Sequence, residues 1–346
     1  MIIKYDKQKE LSGCSFVKTI LMILVVFYHS IIYFGGSWFD KSPIYQSQAL
    51  AILAEWFHSF LMYAFVLVSG YLFYYLKQEK GKYDRFVPFL LNKAKRLLIP
   101  YAFICCVWVI PMQWAFLRYD FEVIAQKYIF GISPSQLWFL LMLFFVFLIF
   151  YPFSNFFEQH NVLGIVIVGL FYALGLIANR YLPNIYQIAT AFMYIPFFWL
   201  GFKIRQYGSL WIRKIHAFIW LILDCVLFAI YKLLTALDGT IFALMELCVV
   251  FLLHIVGALM AFVILQMISE RIPEKNGRLF VTLGKCSMPI YLFHQQIIYI
   301  SIYFLNGFVH PFLHSIINFV FSILASYLIS ALLMKFKWSR ILIGEK

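Results

Sequence analysis

Residues 16–34 read FVKTILMILVVFYHSIIYF. A helix of that length reaches about 28 Å, close to the thickness of the hydrocarbon layer of a bilayer. The stretch reads as a membrane-spanning helix, but Lys18 and His29 have no place in a passive anchor. An ionisable group inside a span costs about 2.5 kcal/mol or more on insertion scales, and such groups mark functional sites. The two lie eleven residues apart. That is about three helical turns, so they share one face, separated by roughly 16 Å along the axis.

Working outward, the same pattern holds along the chain, which is 64% hydrophobic and 12% charged, with 40 Phe and 23 Tyr. Lipid offers no partner to an open backbone group, so runs this apolar must form helices, and the fold class is an all-α polytopic membrane protein. The net charge of +13 does not indicate a nucleic-acid partner. Lys and Arg sit in short loops between apolar runs, which is the positive-inside distribution. The six cysteines, at positions 14, 105, 106, 225, 248 and 286, lie in or beside predicted helices, which argues against a disulfide framework. No Cys or His spacing suits a metal, and none is expected. The first run lacks a small-residue cleavage site and reads as a retained helix.

The periodicity predicts ten spans, near 16–34, 50–76, 98–117, 136–153, 162–178, 185–202, 216–234, 241–268, 280–304 and 311–334. With the N-terminus inside, 23 of the 28 Lys and Arg residues fall on the inner side. Only Lys41, Arg118, Lys127, Arg180 and Lys232 fall outside. Both ends are therefore expected on the cytoplasmic face. The outer segment 118–135 contains FEVIAQKYIFG. It reads either as a surface helix that would lid an outward-facing cavity or as a plain connector.

The polar residues within the spans are the candidate chemistry. Glu55 and His58 lie at i, i+3 in the second span and share a face. His58 falls roughly 9–12 Å below the outer surface and His29 about 8 Å, so His29, Glu55 and His58 are expected to form one pocket. A neutral imidazole suits general-base work near pH 7, and a neighbouring carboxylate would fix its tautomer. In the ninth span Ser287, Tyr291 and His294 line one face, with His294 near mid-membrane. Lys93, Lys95 and Arg96 cluster at the inner end of the third span. They read as a clamp for cofactor phosphates or as lipid-headgroup anchors. Trp138 fits either a sugar ring or the interfacial aromatic belt. Asp224 and His254 are expected to be interhelical hydrogen-bonding groups.

Taken together these segments resemble the membrane-bound acyltransferase family 3. VKTILMILVVFYHS resembles the family's first-helix motif of a basic residue and a histidine, and FHSFLMYAFVLVSGYLF its second helix ending in Ser69, Gly70 and Tyr71. KAKRLLIPY resembles the basic segment leading into Pro100 and Tyr101, and LWFLLML the start of a later helix. IPFFWLGFKIR and LGKCSMPIYLFHQ resemble the sixth and ninth helices. The family often has Arg where Lys18 stands, which keeps the charge but loses the planar fork.

One transmembrane domain is expected over 1–346, without the soluble extracellular domain that some members of that family carry, and the short loops and lack of a disulfide framework fit a bacterial inner or plasma membrane. The resemblance implies an O-acyltransferase that moves an acyl group, usually acetyl, from cytoplasmic acetyl-CoA to a glycan or lipid-linked sugar, beside polysaccharide-assembly proteins. His29, Lys18, Glu55 and His58 would be the catalytic group, and Lys93, Lys95 and Arg96 would bind acyl-CoA. Trp138, Tyr291 and His294 would hold the acceptor. The alternative is a glycan or lipid-linked sugar transporter with the histidines as a proton relay. That function favours inverted repeats, and the sequence shows no such symmetry.

Overall fold

The computed structural model describes residues 7–36, 38, 42–117, 120–213, 215–272 and 274–345; for 7–9, 117 and 274–282 it describes the backbone alone. Nine helices among the described residues are long and apolar enough to cross a membrane. They are α1 (Glu10–Gly35), α2 (Gln48–Glu79), α3 (Phe86–Phe116), α4 (Ser135–Gln159), α5 (Asn161–Tyr181), α6 (Ile185–Tyr207), α7 (Ala217–Leu234), α8 (Thr240–Arg271) and, last in the chain, α10 (Pro311–Leu333). Between the last two runs α9 (Glu274–Leu305), which contains the ninth expected span, 280–304. The described residues contain no strand.

Two spans depart from expectation. α3 begins at Phe86 and not near 98, so the segment holding Lys93, Lys95 and Arg96 is helical. Lys and Arg are good helix formers whose apolar stems can lie along lipid while their heads reach water. α2 is not continuous. Its outer part ends at His58 and a new helical segment begins at Leu61, with Ser59 and Phe60 between them.

The inner half of α2 packs directly on α6. A Cβ on Gly70 would collide with the Phe198 carbonyl oxygen, and one on Gly201 with that of Leu67. Lipid tails are as apolar as Leu, so helices in a bilayer gain little from hydrophobic burial and rely on such close backbone contact. At the inner end of this pair the Arg205 guanidinium is buried. Nε and Nη2 donate to the two Glu79 carboxylate oxygens at 2.7 Å each, and Nη1 donates to the Tyr71 hydroxyl at 2.8 Å. The paired fork satisfies the cation that the span would otherwise leave exposed to lipid.

α1 lies centrally, against α2, α8, α9 and α10. α5, α7 and α10 are peripheral and expose most of their surface. The short helix Lys337–Leu342 packs on α3, and Gly344 lies against the Arg96 carbonyl and Pro100. The C-terminal turn thus shares the face that carries the basic inner end of α3, with Lys93, Lys95 and Arg96, as the charge distribution predicts. Of the basic residues that set this orientation, Lys4, Lys41, Arg118, Lys214 and Lys346 lie outside the described residues. All six cysteines are free thiols.

Gly201→Val is expected to force α2 and α6 apart and destabilise the protein by about 1–3 kcal/mol. The check is the thermal midpoint of the detergent-solubilised protein, which should fall, while Gly169→Ala, where a Cβ meets nothing within 4 Å, should leave it in place.

Candidate active site

α1 and α9 bring two imidazoles together. His29 Nδ1 lies 2.9 Å from His294 Nε2. His294 Nδ1 lies 2.7 Å from the Tyr291 carbonyl oxygen and 3.3 Å from that of Ile290. Carbonyl oxygens only accept, so His294 Nδ1 carries the proton and, in the neutral ring, its Nε2 accepts. His29 Nδ1 must then donate, which leaves His29 Nε2 as the nitrogen with a free lone pair. The backbone of α9, together with the Val25 carbonyl one turn back on α1, thereby orients the His29 ring, work that the sequence assigned to a carboxylate.

His29 stands in the wall of a cavity of about 300 Å³. Tyr28 and Val25 come from α1, His58, Leu61 and Met62 from α2, Gln113 from α3, and Tyr291, Gln295 and Tyr299 from α9. Ser135, Gln136 and Trp138 enter from the start of α4, and Trp38, Lys127 and Ser133 from the outer loops. The wall is laced together behind its surface. Gln136 Nε2 donates to the Leu292 carbonyl at 2.9 Å and to Gln296 Oε1 at 2.6 Å. The Tyr291 hydroxyl donates to the Gln136 carbonyl, and Trp108 Nε1 to that of Phe293 at 3.4 Å.

The outer segment is folded over this cavity, and of its two readings the structure favours the lid. Its helical part, Phe121–Ile129, carries Lys127 to the cavity wall. It is tied down at three points. The Tyr101 hydroxyl donates to the Tyr128 carbonyl at 2.6 Å, and the Tyr186 amide to that of Phe130 at 2.8 Å. Gln187 Nε2 donates to both the Gly131 and Ile132 carbonyls, at 2.9 and 2.7 Å.

Of the residues singled out from sequence, His29, His58, Trp138 and Tyr291 meet at this cavity. Glu55 does not join them. Its Oε2 accepts from Lys232 Nζ at 2.6 Å, in a half-exposed ion pair on the rim of a second cavity, which His58 and Tyr28 also line. His294 is not at the cavity surface as an acceptor ligand would be; it is fully buried behind His29. Lys18 stays at the inner end, within electrostatic reach of Arg96 and Glu345. Lys93 turns into an aromatic cage, its ammonium 3.6 Å from the Phe147 ring centroid and near Phe89 and Tyr83. Lys95 is exposed. Glu345 is pushed toward the protonated form by burial, against the pull of Arg96 and Lys18.

Sequence reasoning missed the amides. Gln113 and Gln136 sit at or near span ends, where polar residues are ordinary, and only the QQ pair directly after His294, Gln295 and Gln296, offered a signal. Asp224 and His254 bridge helices as expected: Trp56 Nε1 donates to Asp224 Oδ2 at 2.7 Å, and His254 Nδ1 to the Ser59 carbonyl at 2.7 Å.

A bundle of membrane-crossing helices with a buried histidine pair over a polar outer cavity is the architecture of a membrane transferase or transporter. Comparison with known families decides between them: residues 13–335 match the acyltransferase family 3 profile, described as an acyltransferase domain. The chain belongs to this family, and it is a multi-pass membrane acyltransferase. No match was found among curated proteins or among solved structures.

Gln187→Ala is expected to free two buried carbonyls and loosen the lid, at about 1–3 kcal/mol. Hydrogen exchange in residues 121–133 should accelerate about tenfold or more, with α2 and α6 unchanged.

Proposed function

We propose that the enzyme takes an acetyl group from acetyl-CoA on the cytoplasmic side and delivers it to a hydroxyl of a cell-envelope glycan, in a bacterial cell membrane. The observation that carries this reading is the 2.9 Å contact between His29 and His294 at the cavity wall. An imidazole held in one tautomer, with its second nitrogen free, is equipped to take a proton from an alcohol. The cavity supplies what a sugar ring requires, with amide groups on Gln113 and Gln295, hydroxyls on Ser133 and Ser135, and indole faces on Trp38 and Trp138.

In this reading His29 Nε2 accepts the hydroxyl proton while the alcohol oxygen attacks the thioester carbonyl. The carbon–oxygen bond forms as the carbon–sulfur bond breaks. The CoA thiolate leaves and recovers the proton from the imidazolium, so the reaction consumes no acid or base. Lys18 and Arg96, which both lie within electrostatic reach of Glu345 at the inner end, are the cations to engage the CoA phosphates. Lys93, held by aromatic rings, would contribute less. The eleven-residue step from Lys18 to His29 sets a span of roughly 16 Å for the extended donor arm. His58, across the cavity, would hold the acceptor.

The test is acetyl transfer by purified protein given acetyl-CoA and envelope glycan, followed by the acetyl methyl signal in NMR of the product. His29→Ala should lower the rate by about 10²–10⁴-fold while the protein accumulates normally. Equal transfer in that variant refutes the catalytic role. His294→Gln, whose amide oxygen can still accept from His29 Nδ1, should retain most activity, and His294→Leu should lose about 10²-fold. For the donor end, Arg96→Ala should raise the KM for acetyl-CoA and leave kcat nearly intact, the mark of a group that binds without entering the chemistry.

A further inference from the structure

α2 breaks directly after His58, and the hairpin of α7 and α8 grips the break from three sides. Before it, Trp56 Nε1 donates to Asp224 Oδ2 at 2.7 Å. Within it, the Ser59 carbonyl accepts from His254 Nδ1 at 2.7 Å. Beyond it, the Phe60 side chain lies so close to Gly257 that a Cβ there would sit 2.6 Å from Phe60 Cβ and 2.8 Å from Asp224 Oδ1. His254 is also stacked on Tyr63, at 3.9 Å between ring centroids. Residues 56, 59, 60 and 63 are thus all fixed by groups on α7 and α8. His58, in their midst, lines both outer cavities.

Asp224 needs an explanation in any case. It is fully buried in a membrane helix, and its Oδ1 has no hydrogen-bond partner. No ion pair to Asp224 occurs among the described residues. A carboxyl group in that setting is costly and is retained where it serves function. The broken turn explains it: irregular backbone at membrane depth survives only where protein groups satisfy it beside a cavity, and while His254 satisfies the Ser59 carbonyl, Asp224 anchors the Trp56 side chain that leads into the break.

We propose that Asp224, with His254 and Gly257, is a positioning device for His58: the α7–α8 hairpin clamps the interrupted turn of α2 so that the His58 ring stays at the partition between the two cavities, where it meets the acceptor. This rests on the acyl-transfer reading given above. Neither Asp224 nor His254 touches the His29 cavity, so both act through His58. The oxygen on Asp224 matters and its charge does not, since accepting from an indole N–H requires only a lone pair.

The experiment compares Asp224→Asn, Asp224→Leu, His58→Ala and the double variant Asp224→Leu/His58→Ala. KM and kcat are measured for acetyl-CoA and for glycan. Asp224→Asn should stay within about twofold of the parent. Asp224→Leu should raise the KM for the glycan about tenfold and leave that for acetyl-CoA in place. In the double variant the glycan KM should match His58→Ala alone, because the clamp has nothing left to position. A glycan KM in which the two losses multiply overturns the proposal, as does an Asp224→Asn enzyme as impaired as Asp224→Leu.

A second readout does not depend on catalysis. In a chain with the native cysteines replaced, the labelling rate of His58→Cys by a water-soluble maleimide should change several-fold on adding Asp224→Leu and hold steady on adding Asp224→Asn. If the parent enzyme transfers no acetyl group but the labelling follows this pattern, the clamp stands and the assigned reaction falls. If the labelling ignores Asp224→Leu, the clamp falls.

Discussion

A bilayer interior has no water to hold a proton on one side of a ring, so an imidazole there has a defined tautomer only if protein imposes it. The His29–His294 contact does this, and it constrains much of the molecule. It needs α9 at one rotation and height relative to α1, because His294 must reach the carbonyls of its own preceding turn and His29 together. The amide exchange between Gln136 and Gln296 and the Tyr291 bond to the Gln136 carbonyl hold α9 in that position against the start of α4. The lid, tied to α6 through Gln187, closes over the same assembly.

The inner face follows a different rule. Two lysines are buried there, each held by neutral oxygens. Lys203 Nζ donates to the Phe157 carbonyl at 2.5 Å, to Asn161 Oδ1 at 2.7 Å and to Gln206 Oε1 at 2.8 Å. Lys77 Nζ donates to Ser154 Oγ and Asn155 Oδ1 at 2.6 and 2.8 Å. Both gather at the C-terminal end of α4, where unpaired carbonyls and the negative end of the helix dipole favour a cation. With the Arg205–Glu79 fork they stitch α2, α4 and α6 together on the side where the chain carries most of its positive charge.

Much of this was legible from residue type and spacing. Apolar runs of span length and the one-sided placement of Lys and Arg gave the architecture, because both follow from the solvent and not from packing. His29 was legible because an ionisable group in a span has few innocent uses. Depth was legible too, since rise per residue is fixed, and His58 and His294 do lie at the level of His29. Rotation about the helix axis was not. Glu55 does share a face with His58, and both line the second cavity, but which cavity that face would serve depended on how α2 turns, and the partner of Glu55, Lys232, lies 177 residues away, beyond any local pattern. His294 had the right depth, but whether it met the cavity or the back of His29 depended on how α9 turns. The amides looked like ordinary interhelical groups until the lid and α4 closed around them.

One irregularity in α3 has a wider reach than its length suggests. Residues Cys105–Val109 form a wide helical turn that closes with the Ile110 amide on the Cys105 carbonyl, one residue more than an α-turn holds. Pro111, which follows at once, has no amide hydrogen and crowds the preceding turn, and the extra residue gives it room. Each added residue advances the helix by about 100°, so everything downstream is out of phase with the inner half. That offset is what aims Gln113 at the His29 cavity while Trp114 faces outward. The two ends of a single helix are thereby indexed separately, one to the basic inner face and the other to the cavity, and the chain can retune either without disturbing its counterpart.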